Sequence, residues 1–504
     1  ACRRVWDMFR YMIQNARTHG KSEEERKFTA MLKLFDPSSS LPVAERGKAP
    51  VAITSFFAGK PLVLDEKVKA GQIDDYVTPT FYAPNVSWLV QRNGMNPRHS
   101  LMVSLNGSEG NHMHANGISM ELYGKGYVLG PDAGIGKTLY QGLDYLEYYS
   151  QFPSHNTVCV DGISSYPVMK SNHSFKLRVL YPAAGERLPY QPISYSEVYF
   201  REPETFADQT RLNGIVNVGD SAGYYIDIFR SRKVEGGDKM HDYFYHNLGQ
   251  QMTLTAADGS ELGLQPTQEL AFAGAHLYAY SYIYNKKRAV TSKDVKAGFT
   301  IQMPDKDDIT MNLWMKGEEG REIFSALSPM TEGLSRIKNM PYSIKDQPTL
   351  TFVARQKGEA WNRPFVAVYE PSTVKESSCI AAVDYPQVKS EQQGSHVGIR
   401  VALTNGNVDW ILSSDENAHH CKLEKLQARA GYALCRQSEK GETLQAFLGN
   451  GTQLEADGVS IRTDAPADVL LLKQDGKWMY TATAPCRVVV GKKKYTLSVA
   501  RELH

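Results

Sequence analysis

From about residue 50 onward the chain is cut into short strand-like runs, some with a clear period of two, separated by turn signals. Tyr224 to Phe229, His276 to Ile283, Ile309 to Trp314 and Val488 to Val490 are such runs. Successive side chains of a strand point to opposite faces, so this periodicity asks for sheets. Asn106-Gly107, Asp161-Gly162, Glu235-Gly236-Gly237, Ala257-Asp258-Gly259, Asn405-Gly406, Asn450-Gly451 and Asp475-Gly476 supply turn chemistry between runs. Strands do not alternate with helices, which argues against a doubly wound fold. The pattern predicts a mainly β chain of antiparallel sheets stacked as a β-sandwich.

The first 49 residues read differently. Val5, Met8, Phe9, Met12, Ile13 and Ala16 recur at helical spacing, with Gly20 as a stop. A second helix is expected over Ser22 to Phe35, ended by Asp36-Pro37 and three serines. One helical pair cannot enclose a core, so it reads as the tail of a larger helical domain or an appendage on the next one. The expected organisation is a helical segment over 1–49, a β domain carrying a metal site over 50–362, and a C-terminal β domain over 363–504. Arg363-Pro364 and Glu370-Pro371 punctuate that last division.

Composition narrows the function. Hydrophobic residues are 42% and charged residues 22% of the 504, as in an ordinary globular protein. A net charge of +2 gives no global reason to expect nucleic acid or a membrane surface. No run approaches the roughly 20 apolar residues that span a bilayer. The 28 tyrosines suit sugar binding, where a ring stacks on a sugar face, and equally suit the edges of a β core. Six cysteines are too sparse for a disulfide scaffold; Cys421 and Cys435 could pair across a hairpin, but separate buried thiols are the expectation. The chain opens in mid-helix without Met, so a leader is expected to lie outside it. Ala133 to Thr138 imitates a phosphate-binding loop, but Pro131 stands where the motif needs glycine.

The chemistry concentrates between Gly110 and Gly162. His112 and His114 are spaced to share one face of a strand. Asp132 follows on a turn, and His155 opens a further strand. Two imidazoles and a carboxylate suit zinc, with water in the fourth place. The alternative is that each histidine is partly buried and hydrogen-bonded to backbone. His419-His420-Cys421 also suggests a metal, but no partner ligands stand nearby in sequence.

The whole run resembles the heparinase II/III family of polysaccharide lyases. The resemblance is carried by His112-Met113-His114, Asp132-Ala133-Gly134, the tyrosine-rich stretch Tyr140 to Tyr149, and His155-Asn156-Thr157-Val158-Cys159-Val160-Asp161-Gly162, in order over about fifty residues. Asp227 to Arg232 and Lys239 to Tyr243 continue it. It implies a structural zinc on His114, Asp132 and His155. It implies that His112 faces the substrate and takes part in catalysis, with Tyr140 and Tyr149 lining the cleft. Arg92 and His241 are candidates for substrate binding, with Arg98 and His99 further basic residues near the cluster.

The activity so implied is β-elimination on a uronic-acid polysaccharide, such as heparin, heparan sulfate or a related acidic polymer, by a periplasmic or secreted bacterial protein. The family supplies further catalytic groups from an N-terminal (α/α) toroid. Two helices cannot build one, so the toroid is expected to lie mostly outside this sequence or on another chain. A different class of reading is a non-catalytic glycan-binding β-sandwich that keeps the zinc.

Overall fold

The computed structural model describes residues 2–35, 62–94, 101–111, 113–132, 134, 136, 143–164, 170–186, 192–271, 278–331, 347–501 and 503. The chain divides into two compact units, 1–78 and 79–504.

The first unit holds the helices Cys2–Thr18 and Ser22–Phe35, where the periodicity places them. Ile13 of the first and Leu32 of the second meet Leu62 and Leu64 in a small apolar cluster. Gly20, at φ +67°, takes the left-handed conformation that ends a helix without a Cβ penalty.

The second unit is a stack of antiparallel sheets. At its middle runs an eight-stranded sheet whose central strands, Gly223–Lys233 and Ala360–Thr373, pair with each other. Both are buried on both faces, and polar side chains they carry, such as Asp227, Arg230 and Glu370, are buried with them. Tyr225, Phe229, Phe365, Ala367 and Tyr369 enter one core. Their neighbours Tyr224, Ile226, Ile228, Val366 and Val368 enter another. The first core is closed by a five-stranded sheet, from Thr80–Ala83 to Tyr127–Gly130, and a six-stranded sheet with Val158–Val160 at its edge. The second core is closed by an eleven-stranded C-terminal sheet. That sheet's other face encloses a third core around Leu426, Leu448 and Ile461.

The mainly β fold is as the alternation predicts, but several local expectations change. Position 363 falls inside the strand Ala360–Thr373, so the middle sheet runs through the expected division, and the chain separates at 78/79 instead. The run expected as a strand over His276 to Ile283 contains the short helix Tyr278–Ser281; residues 276 and 277 lie outside the described set. Tertiary contact decides there, since the Tyr280 hydroxyl is buried and donates to Asp242 Oδ2 at 2.7 Å. Asn450-Gly451 is no chain reversal. It is a bulge inside the strand Thr443–Ala456, where the register shifts on both sides. Cys159, Cys379, Cys421, Cys435 and Cys486 are buried free thiols.

Candidate metal centre

Three segments converge at one end of the first core. His114 follows the strand Ser108–Asn111. Asp132 follows Tyr127–Gly130, the edge of the five-stranded sheet. His155 caps the turn Phe152–Ser154 and precedes Val158–Val160, so the strand begins later than His155 itself.

The geometry is tight. His155 Nδ1 lies 3.0 Å from Asp132 Oδ2. The His114 and His155 rings stack with centroids 4.9 Å apart and planes 15° from parallel. One ligating atom from each of the three residues lies within 4.8 Å of the others. Asp132 is set by its turn: its Oδ1 accepts the Gly134 N–H at 3.2 Å, and Gly134 sits at φ +79°. This explains the Asp-x-Gly spacing, because an Asx-type turn needs the side chain and the left-handed residue two positions apart.

The residues fit a cation. His114 Nδ1 and His155 Nε2 are both buried and have no hydrogen-bond partner among the described residues. A buried polar atom left unpaired costs roughly 1–3 kcal/mol. Burial, then the charge of His155, against the pull of Asp132, together hold the His114 ring down to about 4, so the imidazole is neutral and able to ligate. Burial works to raise Asp132, but the neighbouring histidines hold its carboxyl below the usual range. Burial, then the charge of Asp132, lifts Glu121 to about 7; its Oε2 accepts the Asp132 N–H at 3.3 Å.

Asn156 ties the Asp132 and His155 segments to each other and to neighbouring strands. Its Nδ2 donates to Met120 O at 2.8 Å and Pro131 O at 3.1 Å, and its Oδ1 accepts the His246 N–H at 2.6 Å. Beneath it lies Arg211, fully buried and paired bidentately with Asp227 at 2.8 and 2.7 Å. Arg211 Nη1 also donates to Ile118 O and Asn156 O, both at 2.6 Å. Nothing in the sequence marks out Arg211, and nothing in the spacing links Asp227 to residue 156.

The other candidates separate. His112 and Tyr140 lie outside the described residues, as do Arg98 and His99. Tyr149 is buried, its hydroxyl donating to Met330 O at 2.6 Å. His241, expected at the substrate, is fully buried with Nδ1 2.9 Å from Ser231 Oγ and Nε2 2.8 Å from Asp238 Oδ1. Both nitrogens are occupied, so it is a structural histidine. Arg92 is half-buried at the end of Trp88–Arg92, and its Nε has no partner among the described residues. Tyr145 was not singled out by sequence, yet its ring meets the His114 ring edge-on at 6.3 Å and its buried hydroxyl has no partner among the described residues.

No family model matches the chain. Over 487 aligned residues it is 27% identical to an endo-acting ulvan lyase from Formosa agariphila, an alignment that takes in 91% of this chain and 57% of that protein. The chain thus spans little more than half the length of this relative. Among solved structures, heparinase III overlaps 65% of this chain and 42% of its own at 12% identity, with a TM-score of 0.36. The heparan sulfate lyase of Pedobacter heparinus overlaps 75% and 46% at 11% identity, with a TM-score of 0.34. Chondroitinase AC lyase overlaps 95% and 59% at 10% identity, with a TM-score of 0.35. In sequence, then, the chain is similar to a polysaccharide lyase over nearly all of its length.

Proposed function

We propose that this chain is part of a polysaccharide lyase that cleaves a uronic-acid-containing glycan by β-elimination. The observation that carries the reading is the similarity to an endo-acting ulvan lyase across 91% of the chain, which includes the His114–Asp132–His155 assembly.

In such a reaction a base removes the proton on C5 of the uronate, the C4–O bond breaks, and a C4=C5 double bond forms as the departing oxygen takes a proton. Negative charge builds on the carboxylate beside C5, so a cationic or amide donor must meet it. We assign His112 to proton transfer at the substrate, on the family resemblance. Zinc on His114, Asp132 and His155 would fix the segment that carries His112, as outer contacts orient a working group.

The unsaturated product absorbs in the ultraviolet where the substrate does not. The full-length protein, incubated with ulvan and a panel of other uronate polysaccharides, is expected to raise that absorbance on at least one, and His112→Ala to abolish the rise while the protein remains folded. No rise with any acidic polysaccharide would overturn the reading.

A further inference from the structure

The C-terminal sheet carries a second histidine–carboxylate cluster. The hairpin of His396–Leu403 and Val408–Ser414, turned at Asn405-Gly406, has a register that sets His396 opposite Ser414. Asp415 is the next residue. His419 comes from the short turn before the strand His420–Leu423. The fold therefore gathers three ligand-bearing side chains that the sequence spreads over 24 positions.

Their donor atoms lie within 4.8 Å of one another. His396 Nε2 and His419 Nδ1 are 3.2 Å apart. Donors held about 2.0–2.1 Å from a tetrahedral zinc lie about 3.3 Å from each other, so this pair already has the edge length of such a site. The two rings are inclined at 65° to each other. The carboxylate is held for the task. Asp415 Oδ1 accepts the Ser395 N–H at 2.9 Å, and Oδ2 accepts the Trp361 indole N–H at 2.8 Å. Each oxygen keeps a lone pair, and outer-shell donors of this kind orient metal-binding carboxylates.

Gly394 closes the cradle. A Cβ there would lie 2.8 Å from Asp415 Oδ1 and 3.0 Å from His419 Nδ1, so only glycine leaves the space between them open. Arg230, the nearby buried cation, is engaged by Ser395 and Ser413, and Glu197 and Asp415 balance its charge. His396, Asp415 and His419 are all half-buried, which leaves room for a water in the fourth position.

We propose that His396, Asp415 and His419 form a second binding site for a zinc-class divalent cation, separate from the His114–Asp132–His155 centre. The site clips the end of a hairpin to the turn that follows it. It uses borderline nitrogen donors with one carboxylate, a set that favours zinc over calcium or magnesium. It does not depend on the activity proposed above.

The test is zinc binding by the full chain after stripping with a chelator, followed by calorimetry and elemental analysis. His419→Ala and His396→Ala are each expected to lower the number of bound zinc ions by one, whereas His155→Ala leaves this site filled. Two variants guard against misfolding. Asp415→Asn keeps the acceptor for Ser395, gives up the one for the Trp361 indole N–H, and is expected to weaken zinc binding at this site at least about tenfold. Gly394→Ala changes no ligand and is expected to do the same by filling the cradle. A wild-type chain that binds no zinc overturns the proposal. So does a zinc count and affinity that His396→Ala, His419→Ala and Asp415→Asn leave unchanged.

Discussion

Asn156 makes three hydrogen bonds with one side chain, to Met120 O, Pro131 O and the His246 N–H. These join the segments bearing Asp132 and His155 to the strand Met240–Asn247. Asn156→Ala strands two buried carbonyls and one N–H. At roughly 1–3 kcal/mol for each unpaired buried group, partly relieved by water, the loss is expected to be on the order of 3 kcal/mol. Urea unfolding at neutral pH checks it, and zinc content should fall with it. His246, beside it, bears on acid stability. Its Nε2–H donates to Pro153 O at 3.0 Å, Nδ1 lies 3.0 Å from Thr351 Oγ1, and burial lowers the ring to about 4. An unfolded histidine titrates near 6.5. As pH falls, the unfolded chain takes up this proton first, so stability is intact above about pH 6.5 and is lost as the pH falls from there to about 4, by roughly 3 kcal/mol. His246→Gln should be less stable than wild type at pH 7, and the gap between them should narrow by pH 4.5. A gap that stays constant across that range would reject the assignment. The grouping of His114, Asp132 and His155, the ligand set proposed here, was legible because their motif is local. Arg211 was not, since an arginine in a strand gives no sign that it will reach the Ile118 and Asn156 carbonyls.

Two Asx-Gly dipeptides show how far turn chemistry can be read along an element. Asp475-Gly476 joins Val459–Gln474 to Lys477–Ala482, with φ of +51° and +76°, the left-handed pair that a two-residue hairpin demands. Asn450-Gly451 has the same chemistry but lies inside a strand, at a bulge where the pairing with Val459–Gln474 shifts register. At Gly476 the constraint is backbone: a Cβ would meet nothing within 4 Å. At Gly451 it is space: a Cβ would lie 2.5 Å from Leu448 Cδ1, 2.6 Å from Ala430 Cβ and 2.6 Å from Arg429 O. Gly476→Ala should therefore cost about 1 kcal/mol, the price of a left-handed alanine. Gly451→Ala should cost clearly more, since overpacking against backbone cannot relax. Equilibrium unfolding of the pair gives the order, and equal losses would contradict the bulge. Strand alternation was legible for the same reason the bulge was not: side-chain period is written in the sequence, whereas the curvature of a sheet is set by the core it wraps.

At the scale of the second unit, several tyrosines belong to the β core and fasten its layers together. Tyr224 donates to Asp409 at 2.6 Å and Tyr195 to Asp468 at 2.9 Å, from the middle sheet to the C-terminal sheet. Within the first core Tyr243 donates to Asp227 at 2.6 Å, on the carboxylate that also holds Arg211. Among the described residues no tyrosine hydroxyl is seen bridging layers at the end where His114, Asp132 and His155 meet. The five-stranded and six-stranded sheets are brought together there by Asn156 and by the His155–Asp132 contact. A cation on those three ligands would add a bond between the two sheets that the unfolded chain lacks. Binding to the folded state alone stabilises by about 2.7 kcal/mol when the free ligand is at 100 times its Kd. Chelation should then lower the melting midpoint by several degrees, and excess zinc should restore it. The comparison belongs in a chain already carrying His396→Ala and His419→Ala, so that the C-terminal cluster contributes nothing. In that background Asp132→Ala should melt at the chelated midpoint and ignore both chelator and zinc. A midpoint that chelation does not move in the parent would remove the proposed ligand set, and with it the reason for His155 to face Asp132 across two sheets.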